Sequence, residues 1–216
     1  MSGTQSPRRA RVLLADDHVL VAEACKKLLE PEFEVVGTVA DGRALLRASA
    51  ELKPDVIICD IAMPLLNGLD AADHAKQATP DVRLVFLTMN TDPEVAAEAF
   101  RRNASGYLLK TSAASELVVA VRAALKGERY LSPQLSRGSI PGFLRKHGSE
   151  PPQLTERQRE VLQLLAEGRS MKEVAAVLNL ATRTIAFHKY RIMKILGLKT
   201  NADLVQYAIR NSIIPA

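Results

Sequence analysis

Four short apolar runs each end on a residue capable of phosphoryl chemistry. Val12-Leu13-Leu14-Ala15 precedes Asp16-Asp17, Val56-Ile57-Ile58-Cys59 precedes Asp60, Leu84-Val85-Phe86-Leu87 precedes Thr88, and Tyr107-Leu108-Leu109 precedes Lys110. As buried parallel strands, these runs bring three carboxylates, a hydroxyl and an ammonium to one edge of one sheet, where open α/β sheets bind their ligands. Three clustered carboxylates are too negative to stand comfortably without a cation, and hard oxygen ligands favour a divalent ion such as Mg²⁺. With the ion neutralising an incoming phosphate, one carboxylate can attack phosphorus, Lys110 can pair with the phosphoryl group and Thr88 can hydrogen-bond it.

The elements that must hold these residues are legible in the pattern around them. Helix-patterned stretches at 18–30, 42–51, 67–77, 92–103 and 114–126 alternate with the four runs and with a further strand at 34–40. Such alternation implies βαβ crossovers and a five-stranded parallel, doubly wound sheet with helices on both faces. Asp92-Pro93 reads as an N-cap followed by proline at the first helical position, and Asn103 can end that helix in the left-handed conformation.

Gly127, Pro133, Gly138, Pro141, Gly142, Gly148, Pro151 and Pro152 then interrupt any periodicity. The chain therefore divides into a domain at 10–127, a linker at 128–152 and a second domain at 153–216. Charge divides the same way: 15 Lys/Arg against 17 Asp/Glu in 1–126, but 10 against 5 in 153–216. A basic domain joined to a mildly acidic one suits nucleic-acid contact at one end only.

The second half is a run of helices with clear start signals. Thr155 with Gln158, and Ser170 with Glu173, fit the capping box. Gly168, a short turn at Asn179-Leu180-Ala181, and a basic third helix complete an all-α helix-turn-helix unit. On the third helix Ile185, His188, Ile192 and Ile195 recur at three- and four-residue intervals and point inward, making His188 a packed, hydrogen-bonded residue. The other face offers Arg183, Thr184, Ala186, Phe187, Tyr190 and Lys194, flanked by Lys189 and Arg191, to double-stranded DNA. The cations suit phosphates, and Arg183, Ala186, Phe187 and Tyr190 suit base edges.

No apolar stretch approaches the length of a membrane helix, and Met1 to Arg11 lacks the apolar region of a signal peptide, so a cytoplasmic location is expected. Cys25 and Cys59 have neither metal-ligand nor redox-pair spacing and read as small core residues.

Residues Arg11 to Gly127 resemble a response-regulator receiver domain, through Ala15-Asp16-Asp17-His18, Asp60-Ile61-Ala62-Met63-Pro64 with Gly68, Leu87-Thr88-Met89 and Gly106-Tyr107-Leu108-Leu109-Lys110. The resemblance implies a flavodoxin-like fold, with Asp60 as acceptor of a phosphoryl group from a sensor histidine kinase. It further implies Mg²⁺ held by Asp16, Asp17, Asp60 and the backbone carbonyl of Ala62. Thr88 and Lys110 sense the phosphate, and Tyr107 is the switch aromatic. His18 is assigned to the helix start. Residues 153–212 are similar to the LuxR-type DNA-binding domain of the NarL/FixJ regulators, through Leu154 to Leu162, Ala166 to Ser170, Lys172 to Ala175, Thr184-Ile185, His188, Lys194 and Leu196-Gly197-Leu198. That similarity implies a homodimer on DNA, with contacts from the stripe Leu204, Val205, Ala208 and Ile209; the alternative for the stripe is intradomain core.

The chain departs from the family pattern in its third helix. Ala181 replaces the usual capping Ser, with Thr182 available one residue later. Ala186 stands where Lys is common, Phe187 where a small aliphatic is common, Tyr190 near a frequent Lys, and Met171 where Asn is usual. Phe187 and Tyr190 either meet DNA or pack on the receiver in the off state. Two other classes share parts of this pattern. Aspartyl-nucleophile phosphatases carry a second acidic residue where Ala62 stands, so no enzyme is expected. The alternative regulator binds DNA independently of phosphorylation and uses its receiver as a dimerisation or interaction module.

Overall fold

The four apolar runs are strands because each is rich in branched side chains and short enough to be buried on both faces of a sheet. A computed structural model describes residues 8–136 and 154–215. The strands are β1 (Arg11–Ala15), β2 (Glu34–Val39), β3 (Val56–Cys59), β4 (Arg83–Thr88), β5 (Gly106–Leu109) and β6 (Tyr130–Leu131), all parallel in the order β2-β1-β3-β4-β5-β6. The chain steps outward from β1 to β2, then returns across β1 to β3, so strand order reverses between β1 and β3. That crevice is the topological switch point, and Asp16 and Asp60 stand on its two sides.

Helices α1 (Val19–Leu29), α2 (Gly42–Leu52), α3 (Gly68–Ala78), α4 (Pro93–Arg101) and α5 (Ala113–Leu125) lie within a few residues of the helices expected from the pattern. Asp92 caps α4 by accepting the Glu94 N–H at 2.8 Å, and Asn103 takes a left-handed φ of 62°. Strand alternation sorts the core into two layers. Leu13, Ile57, Phe86 and Tyr107 pack with α2, α3 and α4, whereas Val12, Leu14, Ile58, Val85 and Leu108 pack with α1 and α5. Continued past the strand ends, this period of two sends Asp16, Asp60 and Lys110 toward α1 and α5, and Thr88 toward α4 with Tyr107.

The sheet has six strands, one more than expected, because the segment assigned to the linker begins inside the receiver. β6 pairs Tyr130 with Gly106 and Leu131 with Tyr107, and Leu135 of the short helix α6 (Pro133–Ser136) is buried in the core. Two residues between Gly127 and Pro133 carry no readable periodicity, so only docking on β5 reveals the strand. Residues 137–152 of the expected linker lie outside the described residues.

The second domain comprises α7 (Glu156–Ala166), α8 (Met171–Leu178), α9 (Thr182–Leu196) and α10 (Asn201–Arg210) around Val161, Leu164, Val174, Ile185, Ile192 and Leu204. Both expected capping boxes form, and Thr200 with Asp203 adds a third at α10. Ala181 is the N-cap of α9 with no side-chain bond, so Thr182 lies inside the helix and does not take over as the cap. Among the described residues no helix is long and apolar enough to cross a membrane.

One tight contact seats α3 beneath the site. A Cβ built on Gly68 would lie 1.9 Å from the Asp60 carbonyl oxygen and 2.8 Å from Cys59 Sγ. Gly68→Ala is therefore expected to lower stability by about 1–3 kcal/mol or more, because the obstacle is backbone that cannot swing aside. A urea-unfolding midpoint equal to wild type would contradict this.

Candidate functional site

Parallel register brings the strand-end residues together. Ala15 is level with Cys59, and the Asp60 N–H donates to the Ala15 carbonyl at 2.8 Å, so Asp16 and Asp60 leave adjacent strands side by side. Leu109 is level with Thr88, which puts Lys110 one residue beyond the edge of β5. The Lys110 ammonium crosses to the carboxylates, lying 2.7 Å from Asp60 Oδ2 and 2.8 Å from Asp16 Oδ2. All three side chains are at least 94% buried. Burial works against the ammonium charge, but Asp60 and Asp16 outweigh it and hold the Lys110 pKa above the usual lysine value.

One ammonium does not balance this group. Asp16, Asp17, His18 and Asp60 each offer a ligand atom within 4.8 Å of the others. Asp16 Oδ2 and Asp17 Oδ1 are sealed from solvent, yet neither accepts a hydrogen bond of good geometry. Buried carboxylate oxygens with unused lone pairs, all of them hard donors, fit a small divalent cation. The Ala62 N–H donates to Asp60 Oδ1 at 3.3 Å, which draws that loop against the acceptor. His18 is at the N-cap of α1, as expected, but its ring also enters the cluster, with Nδ1 2.9 Å from Asp17 Oδ1.

Thr88 and Tyr107 form a second group on the α4 side. Thr88 Oγ1 accepts the Asn90 N–H at 3.1 Å, and the fully buried Tyr107 donates its hydroxyl to the Asn90 carbonyl at 3.2 Å. Desolvation, with Asp92 and Asp60 nearby, raises the Tyr107 pKa far above the usual phenol, so the hydroxyl stays a donor. The Asn90 side chain in turn bonds Ser212 Oγ of the second domain. Asn90 thus joins the Thr, the Tyr and the other domain, and nothing in its sequence context marks it. Cys59 is a core residue, donating its thiol to the Asp60 carbonyl.

The third-helix face is open. Phe187 is 60% and Tyr190 71% exposed, and Arg183, Arg191 and Lys194 are exposed, with Thr184, Ala186 and Lys189 half-buried. The expectation that the two aromatics pack on the receiver is not met in this arrangement. Ile185 and Ile192 are buried as expected, whereas His188 is only half-buried, with Nδ1 lacking a hydrogen-bond partner and its ring edge-on to Phe187. Of the α10 stripe, Leu204 and Ala208 are buried in the intradomain core. Val205 packs half-buried against the same core, which leaves Ile209, 37% exposed, facing outward.

The two domains meet through α7, which sequence reasoning assigned no role beyond the fold. Asp70 is buried and accepts from Arg102 Nη1 at 2.9 Å, from Arg159 Nε of α7 at 2.8 Å and from Asn67 Nδ2 at 2.9 Å. Arg43 pairs with Glu160 at 3.2 Å, and His74 bonds Glu156. Gln163, fully buried, bonds the loop after Asp60. A glutamine on an otherwise apolar stretch, Val161 to Leu165, is the one sequence signal that could have flagged this contact.

A phosphoryl-type acidic pocket on a doubly wound sheet, joined to a helix-turn-helix domain, defines a two-component transcription regulator. Residues 12–122 match the family described as response regulator receiver domain, and residues 152–208 match bacterial regulatory proteins, luxR family. The chain belongs to the NarL/FixJ family of response regulators. The oxygen regulatory protein NreC of Staphylococcus carnosus is 32% identical over 214 residues, covering 94% of this chain and 99% of its own. RcsB of Salmonella enterica serovar Typhimurium, solved on a promoter with the phosphomimetic BeF₃⁻, is 30% identical with a TM-score of 0.64, covering 93% of this chain and 98% of that one. A LuxR-family response regulator of Aurantimonas sp. SI85-9A1 is 34% identical with a TM-score of 0.59, covering 64% of this chain and 99% of that one.

Removing the ammonium tests the electrostatics of the pocket. Lys110→Met leaves buried carboxylates uncompensated and is expected to cost about 3–5 kcal/mol without divalent ions. Saturating Mg²⁺ is expected to recover about 2–3 kcal/mol of this by binding only the folded state. Thermal melts with and without Mg²⁺ check both figures, and a variant melting point that does not rise in Mg²⁺ would contradict the cation fit.

Proposed function

We propose that this protein is a DNA-binding transcription regulator switched by transfer of a phosphoryl group from a sensor histidine kinase to Asp60. The observation that carries this reading is the Asp60 carboxylate itself, paired with Lys110 at 2.7 Å and clustered with the carboxylates of Asp16 and Asp17 at the switch point of the sheet. An Asp60 oxygen attacks phosphorus, a P–O bond forms, the P–N bond of the donor phosphohistidine breaks, and its electron pair returns to the imidazole. Asp16, Asp17, Asp60 and the Ala62 carbonyl would hold a divalent ion, which would neutralise charge on the phosphate oxygens. Lys110 then exchanges its bond to the Asp60 carboxylate for one to the phosphoryl group. Thr88 gives up the Asn90 amide to donate its hydroxyl to the phosphate, and Tyr107 follows because both bond the same residue. A bias between two states of about 1–3 kcal/mol suffices for such a switch.

The open α9 face supports double-stranded DNA as the target, bound by a homodimer on two half-sites. Lys194, Lys189 and Arg191 serve phosphates, and Arg183, Thr184, Ala186, Phe187 and Tyr190 face the groove, Phe187 being suited to thymine methyl groups. Of the α10 stripe Leu204, Val205, Ala208 and Ile209, only Ile209 is left largely outside the intradomain core for the dimer. The role places the protein in the cytoplasm.

Intact mass after incubation with Mg²⁺ and a small phosphodonor, with Asp60→Asn as control, tests the chemistry: one phosphate is expected on wild type and none on the variant. In DNA titrations, Lys194→Ala is expected to lower the slope of log K against log salt by about 0.9. Phe187→Ala is expected to alter sequence preference at unchanged slope. Because α9 is already exposed, a second reading has support: phosphate-independent binding with the receiver as an interaction module. Undiminished DNA binding by Asp60→Asn would favour it.

A further inference from the structure

His18 stands at the acidic pocket, and phosphoryl transfer as described makes no use of it. Its backbone is tied to the pocket, because the His18 N–H donates to Asp16 Oδ1 at 2.8 Å. Its ring Nδ1 lies 3.4 Å from the Lys110 ammonium. An ammonium can only donate, so this contact assigns Nδ1 as an acceptor and puts the ring proton on Nε2. The opposite arrangement, with a proton on Nδ1, would face that proton toward the Lys110 ammonium. The side chain is 56% exposed, so Nε2 keeps its proton in water while Nδ1 is turned toward the charged groups.

The same nitrogen stands close to two carboxylate oxygens, 2.9 Å from Asp17 Oδ1 and 3.3 Å from Asp16 Oδ1. The shorter contact lacks hydrogen-bond geometry, since Asp17 Oδ1 is sealed from solvent and has no hydrogen-bond partner. An unprotonated nitrogen and a carboxylate oxygen that close repel one another unless they share a cation. Two ligands bound to one ion at about 2.0–2.1 Å, in octahedral or tetrahedral arrangement, lie roughly 2.8–3.4 Å apart. Both contacts fall in that range. Asp60 completes the group, with one ligand atom from each of the four residues within 4.8 Å of the others.

A nitrogen donor changes which ion such a pocket favours. Carboxylate and carbonyl oxygens suit Mg²⁺, a hard ion that gives up its water reluctantly, whereas imidazole suits Zn²⁺ and its neighbours in the first transition row. We propose that His18 binds through Nδ1 to a divalent transition ion held by Asp16, Asp17 and Asp60, and so biases the acceptor pocket toward an ion such as Zn²⁺ over Mg²⁺. This deepens the reading of the Asp60 pocket as a cation site and rests on it. On binding, Nδ1 exchanges Lys110 for the ion, which leaves the ammonium to oxygen partners alone. The identity of the bound ion then becomes a property that His18 sets, separately from the carboxylates.

The test uses the untagged full chain with Zn²⁺ or Mg²⁺ alone, reading affinity and stoichiometry by calorimetry and the Zn²⁺ ligands by X-ray absorption. Wild type is expected to hold one Zn²⁺ whose spectrum carries the scattering of a single coordinated imidazole, and His18→Ala is expected to lose that imidazole. The Zn²⁺ affinity of the variant is expected to fall at least about tenfold. Its Mg²⁺ affinity is expected to stay within about twofold, because the oxygen ligands are untouched. His18 makes no side-chain bond at the α1 N-cap, so the variant keeps the helix start. If melting shows it to be unfolded, His18→Ser, a good cap without a nitrogen donor, takes its place. Bound Zn²⁺ without an imidazole would overturn the proposal. So would an imidazole that persists in the variant, which marks another of the four histidines, or an equal loss of both ions. A wild type that binds neither ion defeats the cation reading of the pocket and the proposal with it; one that binds Mg²⁺ and shows no imidazole on Zn²⁺ defeats the role of His18 only.

Discussion

The ammonium of Lys110 between Asp16 and Asp60 is the interaction on which the rest depends. Carboxylates issuing from neighbouring parallel strands repel one another, and burial strengthens the repulsion by excluding water. The receiver meets this with one fixed cation from β5 and leaves two carboxylate oxygens without good donors. The strand ends are held by a core packed on both faces of β1, β3 and β5, as helical crossovers on both sides of a parallel sheet require.

The period of two within the strands sorts the strand-end residues into two groups. Asp16, Asp60 and Lys110 lie toward α1 and α5, and Thr88 and Tyr107 toward α4. Asn90 lies where these groups meet the second domain, accepting the Tyr107 hydroxyl, donating to Thr88 and bonding Ser212. The loop after Asp60 is likewise bonded to the second domain, through Gln163 and Glu167.

Particular residues show where reading from the sequence succeeds. Asp92-Pro93, Asn103, Thr155 with Gln158 and Ser170 with Glu173 set element ends through local bonds, and each appears where its spacing implies. β6 was missed because its pairing partner, β5, lies more than twenty residues away and its own two residues carry no pattern. The α10 stripe illustrates a different limit. Leu204, Val205, Ala208 and Ile209 have the spacing of one helix face, but periodicity cannot say whether that face meets its own domain or a second copy. The fold buries two of the four. Ala181 at the α9 N-cap is a third case, where Thr182 offered an equally good cap by type and the backbone chose the alanine.

The clustering of charged residues at strand ends, the doubly wound sheet and the helix-turn-helix unit are all legible in the residues alone. They follow from short-range periodicity and from residue types whose chemistry is intrinsic: carboxylates repel and bind cations, and an amphipathic helix buries one face. How the domains touch is settled only by the fold. The groups that α7 grips are the Met63 carbonyl and the Leu65 and Asn67 amides, about 100 residues distant, and backbone groups are the same in every sequence. Where such groups point depends on the path of the folded chain, so no side-chain pattern near them announces the contact.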